Sequence, residues 1–228
     1  MSKCLFIAGT ATDVGKTFIS ALVVKCLRDA GLNAGYYKAA ASGVELDDNG
    51  KLIGGDPIYV NDFAQIGESA KNLVSYVYAQ PVSPHLAARM NDRPIDFEIV
   101  KQDFERAKKK YDYLIVEGSG GVICPLRWDN QSHFMLLDMV HALDLPILLV
   151  ANAGLGTINS TVLTVDYLRH HNFTVNSIIL NHFKEEAMEL DNLAMVEEIT
   201  KLPVVAKVKF GDDKLNINLK TLTDLFVG

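Results

Sequence analysis

The chain has 228 residues, 49% hydrophobic and 22% charged, with 22 Lys+Arg against 28 Asp+Glu and a net charge of −6. That length and apolar content suit one domain, residues 1–228, with a full core, and argue against wholesale disorder. The acidic balance argues against a general nucleic-acid binder, and the longest apolar runs are far shorter than a membrane span. Cys4, Cys26 and Cys124 form no CxxC pair and read as buried, reduced thiols. No signal-peptide pattern precedes the first apolar run, so a cytoplasmic location is expected.

In chain order, the first predicted strand is Leu5 to Ala8. Gly9 to Thr17 forms a loop, and Lys16 to Ala30 forms a helix that brings Phe18, Leu22 and Val23 toward one face, with Gly31 as its C-terminal stop. A short strand is expected over Ala34 to Tyr37, with Lys38 just beyond it. Glu45 to Asp56 is polar and glycine-rich and is expected to be a mobile loop. Asp96 to Lys110 reads as a helix, acidic at its start and closed by Lys108-Lys109-Lys110. Further strands are expected at Tyr113 to Val116, Pro146 to Ala151, Ser177 to Leu180 and, more weakly, Val204 to Ala206, with a helix from Thr157 to His171. Continuous apolar runs of this kind suit strands buried on both faces. Their alternation with helices implies an α/β fold, a doubly wound and mostly parallel sheet with helices on both faces.

The stretch Gly9-Thr10-Ala11-Thr12-Asp13-Val14-Gly15-Lys16-Thr17 carries the chemistry. A strand, a glycine-bearing loop ending Gly-Lys-Thr and a helix make a phosphate cradle of the P-loop NTPase type. Five residues separate Gly9 from Gly15 where the usual motif has four, so the loop is a variant. Lys16 can reach terminal phosphates, and the Thr17 hydroxyl can bind Mg²⁺. In doubly wound sheets ligands sit beyond the carboxyl ends of the strands, so the residues at those ends matter most. Glu117-Gly118-Ser119-Gly120-Gly121 offers a carboxylate as a second Mg²⁺ anchor. Lys38 offers a second cation. Asp56 could complete the metal shell, with Asp47 and Asp48 as equal alternatives on spacing alone. Asn181-His182 leaves the fifth strand where a nucleobase would lie. Lys184 replaces the Asp of the Asn-Lys-x-Asp pattern, which removes the acceptor that would select guanine. The six histidines show no metal-ligand spacing, and His170-His171 reads as a solvated helix end.

Four segments together resemble the dethiobiotin synthetase family. These are Gly9 to Thr17, Lys38 with Ala41-Ser42-Gly43, Gln80-Pro81-Val82-Ser83-Pro84-His85, and Val116 to Gly121. The resemblance runs from residue 3 to about residue 181. Ala39 stands in place of a usual Pro and Asp13 in place of a usual Glu. Lys201 to Gly228 matches poorly. The resemblance implies an ATP- and Mg²⁺-dependent cyclo-ligase that joins CO₂ to 7,8-diaminononanoate through a carbamate and a carbamic-phosphoric anhydride. It implies nucleotide contacts from Asp13, Val14, Gly15, Lys16, Thr17 and Phe18, from Glu117, Gly118, Ser119 and Gly120, and from Asn181 and His182. Lys16, Lys38 and Thr12 are then the catalytic candidates. Thr17, Asp56 and Glu117 are the metal candidates. Ser42, Gly118 and Gly121 are substrate contacts, joined by Thr157, Ile158 and Asn159 at a helix start reached across a homodimer.

Two other classes share parts of this pattern. ATP-driven switches of the septum- or chromosome-positioning type usually carry an extra lysine early in the loop, where this chain has Thr10-Ala11-Thr12. Amidating ligases of the cobyrinate type usually append a glutaminase domain, for which the chain is too short.

Overall fold

The computed structural model describes residues 2–49 and 51–226. The chain begins with β1 (Lys3–Gly9), α1 (Lys16–Asp29), β2 (Ala34–Ser42), β3 (Glu45–Leu46), β4 (Leu52–Gly54), α2 (Asp56–Phe63) and β5 (Val74–Tyr78). It continues through α3 (Pro84–Met90), α4 (Phe97–Lys110), β6 (Tyr113–Glu117), β7 (Pro125–Trp128), β8 (His133–Met135) and α5 (Leu136–Ala142). It closes with β9 (Ile147–Asn152), α6 (Thr157–His170), β10 (Val175–Asn181), α7 (Ala187–Thr200), β11 (Val204–Val208) and α8 (Leu219–Asp224).

Seven strands make one sheet in the order β11-β10-β9-β1-β6-β2-β5, and every neighbouring pair is parallel. Parallel strands place both faces under helices, and side chains alternate between the two cores. On β1, Leu5 and Ile7 enter the core beneath α1, α2 and α8, whereas Cys4, Phe6 and Ala8 enter the core beneath α3 to α7. The sheet therefore has the α/β, doubly wound architecture read from the sequence.

The helix ends follow their local chemistry. Gly15 precedes α1 with φ 91°, and Gly31 follows it with φ 79°. Asp96 caps α4 by accepting from the Glu98 N–H at 2.8 Å, and three lysines occupy the last turn.

Three expectations need correction. β2 extends to Ser42, so Lys38 lies inside the strand and not beyond it. Its alanines are poor strand formers alone, but β2 is paired on both sides, by β6 and by β5. The strand β5 was not expected at all. As a sheet edge it alternates buried and half-buried residues, so its sequence Val-Ser-Tyr-Val-Tyr lacks the continuous apolar run. The segment expected as a loop after Glu45 holds the β3–β4 antiparallel pair. The Asp47 carboxylate accepts from the N–H groups of Asn49 and Lys51 and so organises its turn. Gly50 of that segment lies outside the described residues. Among the described residues no helix is long and apolar enough to cross a membrane.

Candidate active site

The phosphate loop joins the carboxyl end of β1 to α1. Gly15 has φ 91°, and a Cβ there would fall 2.0 Å from the Asn181 side-chain nitrogen. Only glycine meets both conditions. That same Asn181 Nδ2 donates to the Val14 carbonyl at 3.0 Å, tying the loop to the end of β10. Asp13 sits at φ 60°, a left-handed conformation that Asp tolerates better than most side chains. The Lys16 ammonium folds back over the loop and donates to the Ala11 carbonyl at 3.1 Å. Burial, then the charge of Lys38, lowers the Lys16 pKa; Glu117, Asp56 and Asp13 partly offset this.

Lys38 on β2 stands opposite Glu117 on β6 in the strand register. Its ammonium donates to Glu117 Oε1 at 2.5 Å and to Asp56 Oδ2 at 2.6 Å. Thr17 Oγ1 donates to the same Glu117 Oε1 at 2.9 Å, and the Tyr36 hydroxyl donates to Oε2 at 3.0 Å. Lys38 and Glu117 are almost fully buried, so each charge depends on its partners. Burial opposes the Lys38 charge, but Glu117 and Asp56 outweigh it and its pKa is raised. Burial likewise opposes the Asp56 charge, and Lys38 outweighs it, so the Asp56 pKa is lowered. The Tyr36 phenol is pushed well above its ordinary value by burial and by the charges of Glu117 and Asp56, so it remains a donor.

Asp56 opens α2 at the cavity, which separates it from Asp47 in the β3–β4 turn. Among the described residues no group of three or more His, Cys, Asp or Glu side chains gathers. A cation here would draw on the Thr17 hydroxyl and the two carboxylates.

These groups open onto a cavity of about 820 Å³. Of the residues singled out in the sequence, it is lined by Thr12, Asp13, Gly15, Lys16, Thr17, Phe18, Lys38, Ser42, Asp56, Glu117, Ser119, Gly120, Asn181 and His182. Val14 lies beneath the loop with its side chain in the core. Gly118 faces inward: a Cβ there would meet the Phe6 ring at 2.8 Å, and its N–H is engaged by the Ile7 carbonyl at 3.0 Å. That N–H is therefore not available to a ligand. Gly121 packs near the backbone of Gly9, Thr10 and Ala11, outside the cavity lining. Thr157, Ile158 and Asn159 open α6 and also lie outside that lining. The Thr157 N–H is engaged by the Gly154 carbonyl at 3.2 Å, and its hydroxyl lies 3.2 Å from that of Thr161. The Ser119 hydroxyl is engaged too, donating to the Ala40 carbonyl at 2.8 Å.

At the far end the cavity is lined by Asn181, His182, Phe210 and Gly211. Asn181 Oδ1 is buried there and has no partner among the described residues. Phe210 is 92% exposed. Phe210, Gly211, Tyr59 and Gly55 were not singled out in the sequence. An isolated Phe-Gly or Tyr carries no motif, and these residues join the site only through the fold.

A parallel doubly wound sheet with a Gly-Lys-Thr loop at its carboxyl edge defines a P-loop nucleotide-binding protein. Solved structures agree at the level of fold. The MinC:MinD cell division complex of Aquifex aeolicus matches at TM-score 0.57 and 16% identity, over 91% of this chain and 81% of that one. A ParA family ATPase from Chlorobium tepidum TLS matches at TM-score 0.55 and 14% identity, over 93% and 85%. A family profile described as an AAA domain matches residues 3–214. Among curated proteins, the ATP-dependent dethiobiotin synthetase BioD of Clostridium botulinum (strain Alaska E43 / Type E3) is 45% identical over 227 residues, 99% of each chain. That of Brachyspira hyodysenteriae (strain ATCC 49526 / WA1) is 46% identical over 224 residues, 97% of this chain and 99% of the relative. The chain belongs to the ATP-dependent dethiobiotin synthetase family. The match to the Clostridium botulinum relative covers 99% of the chain and so runs through the segment Lys201 to Gly228, where the family motifs match poorly.

Proposed function

We propose that this protein is the cyclo-ligase that closes 7,8-diaminononanoate and CO₂ into dethiobiotin at the expense of ATP. The observation that carries the reading is the pair of buried lysines, Lys16 and Lys38, brought to one cavity at the carboxyl edge of the sheet. One substrate amine and CO₂ give a carbamate. A carbamate oxygen attacks the γ-phosphorus and the bond to the ADP oxygen breaks. The second amine then attacks the carbamoyl carbon, phosphate leaves and the ureido ring closes. The attacking carbamate is already an anion, so the step needs fixed positive charge more than a general base. Lys16 and Lys38 supply it. Thr12 and Ser42 line the same cavity and would orient the carbamate.

Thr17, Asp56 and Glu117 would hold Mg²⁺. Their hydroxyl and carboxylate oxygens are the hard donors that this ion takes, and all three line the cavity. When bound, the ion supplies charge neutralisation at the transferring phosphoryl group. The buried Asn181 Oδ1, unpartnered among the described residues, would accept from the 6-amino group of adenine, where guanine carries a carbonyl oxygen that could only repel it. In this reading the protein works in the cytoplasm on small molecules as a homodimer. The start of α6 in a partner subunit, with Thr157, Ile158 and Asn159, receives the distal carboxylate of the diamine.

The test is product formation from Mg-ATP, bicarbonate and the diamine. Dethiobiotin and phosphate should form one for one, and omission of either the diamine or bicarbonate should stop both. Phosphate release indifferent to the diamine would favour the positioning-ATPase class, which shares this fold.

A further inference from the structure

Glu117 is held by more than the ligand-facing groups. Tyr36 lies two residues before Lys38 on the same face of β2, and Lys38 stands opposite Glu117 in the register. The Tyr36 ring is fully buried in the core beneath α1, among Leu5, Ile7 and Ile115. A phenol in such a place needs a partner, and its hydroxyl finds Glu117 Oε2 at 3.0 Å. The other oxygen, Oε1, takes both Thr17 and Lys38. The two carboxylate oxygens thus have separate partners: Oε2 is anchored from the core by Tyr36, and Oε1 is held by Thr17 and Lys38, which both line the cavity.

We propose that Tyr36 is a positioning residue for Glu117, anchoring Oε2 through its hydroxyl so that Oε1 is presented to the cation and to Thr17. The inference rests on the reading of Glu117 as a magnesium ligand. Without the hydroxyl, Oε2 is left buried without a donor, and the carboxylate is free to rotate away from Thr17. Phenylalanine fills the same space, so the change is confined to one hydrogen bond. Tyr37 provides the matched control. Its hydroxyl points into the opposite core, toward Ser75 at 2.7 Å and the Val100 carbonyl at 2.9 Å.

The experiment is Mn²⁺ binding, read by electron paramagnetic resonance on the full chain saturated with a non-hydrolysable ATP analogue. Wild type, Tyr36→Phe, Tyr37→Phe and Glu117→Gln are compared. Tyr36→Phe should weaken Mn²⁺ about 10-fold, the scale for losing a partner behind a metal ligand. Tyr37→Phe should leave Mn²⁺ affinity unchanged, and metal-free nucleotide affinity should be equal in the two tyrosine variants. A folded Tyr36→Phe with wild-type Mn²⁺ affinity, beside a Glu117→Gln that has lost it, would overturn this inference alone. A Glu117→Gln that binds Mn²⁺ like wild type would overturn the metal reading as well. If Tyr36→Phe does not fold, 3-fluorotyrosine at position 36 keeps the ring and the donor. Its ¹⁹F signal should move on adding Mg²⁺ to the nucleotide complex, and a signal indifferent to Mg²⁺ would contradict the proposal.

Discussion

At the phosphate end of the cavity, Lys16, Lys38 and Glu117 are at most 7% exposed, and Lys38 and Glu117 are tied into one hydrogen-bonded cluster with Thr17 and Asp56. At the end proposed for the base, Phe210 is 92% exposed and Asn181 keeps an oxygen without a partner among the described residues. The first arrangement is set before a ligand arrives, which is what phosphoryl transfer asks of a site. The second leaves an exposed ring and a free acceptor, features that would serve affinity more than rate. In the proposed reading, the same cavity divides chemistry from recognition along its length.

Substitution can break that division at either end. The largest expected effects fall on the lysines. Lys16→Ala and Lys38→Ala should each lower kcat by about 10²-fold or more. Stability should separate them. Lys38→Ala strips a buried carboxylate of its cation and should cost about 3 kcal/mol or more, a Tm drop of roughly 6–12 °C for a chain of this size. Among the described residues the Lys16 ammonium is hydrogen-bonded to the Ala11 carbonyl alone, so its removal should leave Tm nearly unchanged. Equal Tm losses, read by calorimetry, would show that the two lysines are not held differently. A smaller effect is expected at the open end. Phe210→Ala should raise KM for ATP roughly five-fold, with kcat unchanged, as a lost stacking surface would. A fall in kcat would tie the base end to the chemistry and remove the division.

The phosphate end was largely legible in the sequence because a cradle of backbone N–H groups needs contiguous residues, and Gly9 to Thr17 are contiguous. Glu117 was legible as a carboxylate closing an apolar strand. Asp56 could not be told from Asp47 or Asp48 until α2 placed Asp56 at Lys38 and the β3–β4 turn claimed Asp47. Tyr36 hid as an ordinary apolar strand residue, since its role depends on a partner 81 positions away. The base end joins residues 181–182 to 210–211, which no local pattern links. Gly118 is constrained from the core side. The family resemblance names it among the ligand contacts, and the fold fills the space beside its Cα with Phe6 and engages its N–H with the Ile7 carbonyl.

The smallest expected effect concerns Cys124, beside the phosphate end. Burial pushes its thiol up to about 11, with Lys16 and Lys38 pulling only weakly the other way. At pH 8 only about 10⁻³ of it is thiolate, so iodoacetamide should label half-buried Cys26 first, and Cys124 labelling should accelerate as pH rises toward 11. Peptide mapping that finds Cys124 labelled first at pH 8 would show the phosphate end to be more open than the structure has it.

The measurement that bears most directly on the account is the origin of the oxygen in the released phosphate. If a carbamate oxygen attacks the γ-phosphorus and stays with phosphate when the ring closes, phosphate made from fresh ¹⁸O-bicarbonate in unlabelled water should carry one ¹⁸O. Phosphate that takes its new oxygen from ¹⁸O-water instead, with unlabelled bicarbonate present, would mean that the buried lysines serve ATP hydrolysis and not ring closure.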